Sequence, residues 1–394
     1  MIGSGSWRVP EWAVALALAA SLCLVPGHVS AQEEGGKAAS AAEIELALAQ
    51  ADAFEDGDPR EVLELLGPYA DSDHPDVAFS LAVAHMRVAI EGRPREEVTA
   101  EDIRPAIEQA RRSIELGSAH GSNLLWVIHA NGWGVPVDNG VALEHLRRGV
   151  DAGETGAMLN YAMLLAGGDA GVERDLPAAC VLLERLLEDE AAGPVAAHPL
   201  GLALVRGDCG EAADAARGVD LIERAASHGV REAMYDLGRA REHGMVGAVD
   251  IDEALEWFEE AAKLDLPQAQ WRIGMAWLRG EGRAADSAMA VKSFERAAAG
   301  GYPEGMVSLA VMHATGDGVP LDPAKAAALY RQAADLGSGH ALRSLAGMHA
   351  TGEGMPADPA RALELYEQAM EMGAEEFPQL RGFIEAALGQ GHVH

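Results

Sequence analysis

Apolar residues recur three and four positions apart through most of the chain, and no stretch alternates with period two for long enough to be a strand. The pattern predicts helices, and from residue 42 onward it repeats. The segment MHATGDGVPLDPAKAAALYRQAADLG at 312–337 returns 36 residues later as MHATGEGMPADPARALELYEQAMEMG. An aspartate after a glycine turn marks the register at Asp214, Asp250, Asp286, Asp322 and Asp358, always 36 residues apart. Upstream the series continues less evenly as Asp58, Asp102, Asp138 and Asp175, with inserts near 91–100, 168–171 and 191–193.

Each Asp is expected to open a helix, its carboxylate accepting N-terminal N–H groups and its charge suiting the positive helix end. Pro59, Pro323 and Pro359 follow directly, at the one helical position that tolerates proline. Ala stands four residues after most of these Asp (Ala254, Ala290, Ala326, Ala362). A large apolar residue stands at eight (Phe258, Phe294, Tyr330, Tyr366), and Ala again at eleven. Offsets of 0, 4, 8 and 11 line one helix face with alternating small and large residues. A second marker follows 15 residues after the Asp: Asp73, Gly117, Gly153, Gly229, Asp265, Gly301, Gly337 and Gly373, with Gly193 displaced by three. It is expected to cap the helix C-terminus. The next helix carries the pairs Leu237-Gly238, Ile273-Gly274, Leu309-Ala310 and Leu345-Ala346, and Gly316-x-Gly318 and Gly352-x-Gly354 turn the chain back.

One helical hairpin cannot bury its apolar face alone, whereas stacked hairpins can. The expected fold is all-α, a right-handed α-α superhelical solenoid of about nine helical hairpins over residues 42–373. Residues 374–394 supply a closing helix over 374–388, cut short by Pro378, and a tail.

The composite L-G/A-x-M-H-x-x-G-x-G-V-x-x-D-x-x-K/R-A-x-x-x-Y-x-x-A-A-x-x-G resembles the Sel-one-like repeat, a branch of the tetratricopeptide superfamily. The match is strongest at 301–373, good over 193–300 and weaker back to 42. Unit 229–265 departs from it, with His243-Gly244-Met245-Val246-Gly247 for the glycine turn and Asp265 for the capping glycine, which implies a local bend. The resemblance implies a non-enzymatic scaffold or adaptor for protein partners; similar exported bacterial proteins are linked to envelope assembly and host contact. Cysteine-rich relatives are connected with β-lactam binding or hydrolysis, but their regular cysteine pairs and a well-placed Ser-x-x-Lys are missing here. A polysaccharide or peptidoglycan binder in an export apparatus is the alternative.

Residues 1–31 read as a secretory signal. Arg8 precedes an apolar run from Trp12 to Val25, Pro26 and Gly27 break it, and Val29-Ser30-Ala31 offers small residues at the cleavage positions. An uncleaved anchor is the competing reading, and Leu22 ahead of Cys23 disfavours a lipoprotein. Residues 32–41 read as a linker. The expected address is periplasmic or secreted, with no stable membrane insertion after cleavage. The formal net charge of −32 changes the partner question. It excludes ordinary nucleic-acid binding and disfavours anionic membranes, leaving protein partners for a monomer.

Candidate chemistry is sparse. His85, His129, His313 and His349 share a repeat position that elsewhere holds Leu165, Val205, Arg241 and Trp277. Neighbouring helices lie roughly 8–10 Å apart and zinc ligands about 2 Å from the ion, so packing is expected rather than a metal row. Gly207-Asp208-Cys209-Gly210 superficially resembles a nucleophile elbow but lacks the preceding strand. No metal or cofactor is expected, and Met158, Met234 and Met306 read as core. Cys180 and Cys209 lie 13 and 16 positions either side of Gly193, level on antiparallel helices. The pair is placed for a disulfide in an oxidising compartment, and two separate buried thiols are the equal alternative. First helices of such hairpins usually line a concave face. The side chains off their core line are Tyr235, Arg239, Trp271, Arg272, Met275 and Arg343, which are the expected partner site, the Arg serving as anion-accepting points. The competing reading packs Trp271 and Met275 against adjoining helices.

Overall fold

The computed structural model describes residues 40–52, 58–210, 214–245 and 248–390. The expected leader at 1–31, the expected linker up to residue 39, the turn residues Val246 and Gly247, and His392 and His394 lie outside the described residues. Nineteen α-helices and no strand occur among the described residues. Two compact units divide the chain, the first ending at Leu221 and the second starting at Ile222.

The first unit holds α1 (Ala41–Asp52), α2 (Pro59–Leu66), α3 (Pro75–Ile90), α4 (Ala100–Glu115), α5 (His120–Asn131), α6 (Asn139–Asp151), α7 (Thr155–Gly167), α8 (Leu176–Leu186), α9 (Ala192–Arg206) and the start of α10 (Ala215–Ser227). The second holds the rest of α10, then α11 (Arg231–Glu242), α12 (Ile251–Lys263), α13 (Pro267–Arg279), α14 (Ser287–Ala299), α15 (Pro303–Thr315), α16 (Pro323–Asp335), α17 (Gly339–Thr351), α18 (Pro359–Glu371) and α19 (Pro378–Gln390). Within each unit consecutive helical hairpins pack one on the next, as an α-solenoid does.

The aspartates do the local work. The carboxylates of Asp250, Asp322 and Asp358 accept from the N–H three residues on, at 2.9–3.0 Å, and Asp58, Asp138, Asp175, Asp214 and Asp286 cap their helices similarly. The Asp backbone N–H has a second job. It donates to the carbonyl nine residues earlier: Asp250 to Arg241, Asp286 to Trp277, Asp322 to His313 and Asp358 to His349, at 2.8–3.0 Å. This bond ties the end of the first helix to the start of the second and uses no side chain of the upstream residue. Histidine at that position is therefore interchangeable with Arg or Trp.

Small and large residues interlock as the sequence pattern requires. Ala290, Phe294 and Ala297 are buried in the second unit, and Gly274 faces Phe294 so closely that a Cβ there would lie 2.5 Å from Cε1 of the ring. The second glycine of the Gly-x-Gly turns has a comparable reason. At Gly354, with φ +72°, a Cβ would lie 2.5 Å from the Pro323 carbonyl oxygen.

Four positions differ from expectation, the first being Asp73, which lies seven residues beyond Leu66, the end of α2, where Gly67 is the C-cap. Asp102 is the third residue of α4, not its cap: Thr99 caps the helix, and the Asp102 carboxylate reaches back to the Thr99 N–H at 2.8 Å. The insert near 91–100 brings Thr99 into reach and leaves Asp102 paired with Arg93 at 3.1 Å. Gly193 lies inside the first turn of α9, pressed against the Leu187 carbonyl, and caps nothing. Pro378 does not shorten the closing helix but opens it, so the helix runs over Pro378–Gln390 rather than from 374.

Candidate partner-binding face

The repeat fixes which side chains share a face. Positions 235, 271, 307 and 343 are equivalent on α11, α13, α15 and α17, and 239, 275, 311 and 347 lie one turn further along the same helices. The strip therefore reads Tyr235 and Arg239, Trp271 and Met275, Val307 and Val311, Arg343 and Gly347. Arg239 and Val311 are exposed, Val311 to 44%. Tyr235, Trp271, Met275 and Val307 are half-buried.

Trp271 is anchored. Its Nε1–H donates to the Ser308 hydroxyl at 3.0 Å, and its ring meets Tyr302 edge-on with centroids 5.9 Å apart. Tyr235 packs at a tilt on Phe258, centroids 5.5 Å apart. The Arg272 guanidinium lies 5.6 Å from the Trp271 ring centroid and 5.7 Å from that of Phe258. Burial lowers the pKa of Arg272, and raises those of Tyr235 and of Tyr302, the latter to about 12 with help from the nearby Glu304 carboxylate. These aromatic and cationic groups form one cluster across α11, α12, α13 and α15.

The three arginines separate. Arg272 forms an ion pair with the largely buried Glu242, and Arg343 donates to the Glu375 carbonyl at 3.0 Å, apart from the Trp271 cluster. Neither is an anion-accepting point in the manner expected; of the three only Arg239 is exposed. Two participants escaped the sequence reading. Val311 was findable as the residue 36 positions after Met275. Tyr302 was not, because it precedes its helix and only the fold carries its ring to Trp271.

The histidine series serves packing. His129 stacks on His145 with centroids 5.7 Å apart, and His313 is buried. Its equivalents behave alike: Arg241 pairs with Glu253 at 3.0 Å, and the Arg283 guanidinium covers Trp277 at 4.5 Å. Among the described residues no group of three or more His, Cys, Asp or Glu is placed to hold a metal ion. Met158 and Met306 are buried, and Met234 is partly buried against the core around Phe258 in the second unit. Cys180, in α8, and Cys209, in the turn after α9, are joined by a disulfide with Cα atoms 5.8 Å apart. The sulfur of Cys209 is thus bonded, not nucleophilic.

The Sel1 repeat family model matches residues 119–154, 155–188, 194–230, 231–266, 267–302, 303–338 and 339–373. A protective antigen of uropathogenic Escherichia coli with an SLR fold superposes with a TM-score of 0.58 at 21% identity, over 89% of this chain and 75% of that one. A Sel1 repeat protein from Oxalobacter formigenes superposes with a TM-score of 0.53 at 25% identity, over 90% of this chain and 96% of that one. No curated protein matches the chain in sequence.

Proposed function

Because the chain belongs to the Sel1 repeat family, we propose that it is a non-enzymatic scaffold of the cell envelope that holds a protein partner against the first helices of its second unit. The observation that carries this reading is the strip of Arg239, Met275 and Val311, one turn from Tyr235, Trp271 and Val307. It sets apolar and aromatic side chains, pre-positioned by the cluster beneath them, beside an exposed cation in an acidic chain. Rigid aromatics ringed by polar groups favour protein interfaces. A protein partner is favoured over a polysaccharide because the Trp271 ring is engaged by Arg272 and Tyr302 rather than standing free for a sugar to stack on. The envelope address rests on the leader-like residues 1–31 and accords with the Cys180–Cys209 disulfide, since such bonds persist in oxidising compartments.

The test is affinity capture from envelope extract with the mature chain as bait. Arg239→Glu and Val311→Glu act at exposed positions of the strip, whereas Trp271, Met275 and Arg272 also hold the fold together. Both variants should lose a stoichiometric protein partner while helicity and melting stay unchanged. Undiminished capture refutes the placement. Retention of glycan without protein refutes the partner class. N-terminal sequencing should find Gln32 first; an intact Met1 in the cytoplasm would remove the export reading.

A further inference from the structure

Arg239 is an exposed cation on the face built from α11, α13 and α15, and the groups around it define what it can receive. It stands one helical turn after Tyr235 on α11, so guanidinium and phenol share one side of the helix. Burial raises the Tyr235 pKa, and Arg239 and Arg272 oppose that rise, which puts both guanidiniums near the hydroxyl. Burial lowers the Arg272 pKa, and Arg279 and Arg239 lower it further. Three guanidiniums from α11 and α13 therefore share one neighbourhood. Two are taken, Arg272 by Glu242 and Arg279 by Glu281 at 3.5 Å. Among the described residues Arg239 forms no ion pair and the Tyr235 hydroxyl makes no hydrogen bond.

Charge limits the occupant. The carboxylates of Asp236 and Glu304 also act on the Tyr235 hydroxyl. They would repel a doubly charged group such as a phosphate monoester, whereas one carboxylate matches one free guanidinium. Spacing limits it further. Met275 on α13 and Val311 on α15 occupy the position equivalent to Arg239, and the bond from Trp271 to Ser308 ties α13 to α15 at 3.0 Å. Helices in contact lie roughly 8–10 Å apart. An extended chain rises about 3.3 Å per residue, so a segment laid across the three helices meets equivalent positions at about every third residue.

We propose that Arg239 and the Tyr235 hydroxyl receive the side-chain carboxylate of an acidic residue in an extended segment of the partner, whose apolar residues about three and six positions away lie on Met275 and Val311. The proposal rests on the partner face of the preceding subsection and adds the charge and the spacing of what binds there.

The probes are three peptides of about ten residues, labelled with fluorescein at the amino end and amidated at the other. Each carries Leu at the two apolar positions, Ser and Gly elsewhere, and Glu, Gln or Lys at the charged position. The field of a chain carrying −32 favours the Lys peptide, so the opposite order isolates the local site. Anisotropy with the full chain should rank Glu above Gln by roughly tenfold and Gln above Lys, with the gaps closing as salt rises. Arg239→Glu should invert the order, and its capture of the Lys peptide shows that the variant is folded. Lys292→Glu, the same charge change at an exposed position of α14, should keep the parent order. Equal affinity for the Glu and Gln peptides overturns the proposal. So does an Arg239→Glu chain that binds all three more weakly without inverting them, or no measurable binding of any peptide. A peptide with a free chain-end carboxylate at the charged position, binding roughly tenfold tighter than the Glu form, would assign the site to a terminus and overturn it as well. Val311→Glu separates the two readings. If it abolishes binding of peptides that the parent does not rank, the carboxylate is lost and the face stands; if it leaves binding undiminished, the face is lost and the proposal with it.

Discussion

Opening the Cys180–Cys209 bond should destabilise the α8–α9 hairpin by about 3.6 kcal/mol. The bond joins residues separated by 29 positions, and the chain-entropy relation for a loop of that size gives about 12 cal/mol/K. The Cα separation of 5.8 Å lies in the middle of the usual span, so little native distortion should offset that gain. Both cysteines are buried, Cys180 within α8 and Cys209 in the turn that leaves α9. Replacing both by Ser breaks the link and also sets two hydroxyls in an apolar place, so the cleaner perturbation is reduction of the native protein. Hairpins in such a stack contact only their neighbours, and the loss should appear first in α8 and α9. The assay is native-state amide exchange with and without reductant, beside urea unfolding. Protection in α8 and α9 should fall by two to three orders of magnitude while α5 and α6 change far less. Identical exchange in the oxidised and reduced chains would refute the reasoning. So would two free thiols in protein recovered from an oxidising compartment.

Asp265→Gly should raise stability by about 0.5–1 kcal/mol in a thermal melt, because Asp265 holds φ +56° where the other units of this half place glycine; a loss would show that its side chain contributes more than its backbone costs. Gly274→Ala should cost about 1–3 kcal/mol by driving a methyl into Phe294, whereas Gly382→Ala, with nothing within 4 Å, should be neutral or stabilising. If the two glycine variants melt alike, close packing is not what selects glycine at 274. Burial lowers the pKa values of His129 and His145, so the stability they carry is complete above about pH 6.5 and is lost as pH falls below it. Glu154 raises that of His120 through a hydrogen bond, so its contribution is complete below about pH 6.5 and is lost as pH rises through the raised value. Proton NMR titration should place His129 and His145 below that reference and His120 above it, and the reverse order would refute the assignment.

Legibility in this chain followed locality. The Asp series could be read because a cap involves one side chain and the N–H groups two or three residues on. Its one misreading, Asp102, came from the same locality: Thr99 is equally able to cap, and an insert decides between them. The small-large alternation was legible because a glycine facing a phenylalanine leaves its trace in two fixed repeat positions, as Gly274 and Phe294 show. The candidate face was legible only in outline. Trp271 could be placed on the right helix and the right side, but its bond to Ser308 and its contact with Tyr302 cross from α13 to the next hairpin. The pairing of Arg272 with Glu242 likewise joins residues 30 apart, on α13 and at the end of α11, and no spacing rule selects that glutamate among the many in the chain.

That same distinction separates side chains that hold the array together from those free to serve it. A residue whose equivalents all change while the backbone bond stays, as at His313, Trp277 and Arg241, answers to its own hairpin. A residue repeated in kind, as Gly238 and Gly274 are and Phe258 and Phe294 opposite them, answers to the neighbouring helix: a Cβ at either glycine would lie 2.5–2.6 Å from the facing ring. Arg239 and Val311 answer to neither constraint, since both are exposed and their equivalents Met275 and Gly347 differ from them in size and charge. Positions of that last kind are the ones at which the surface can change without loosening the array.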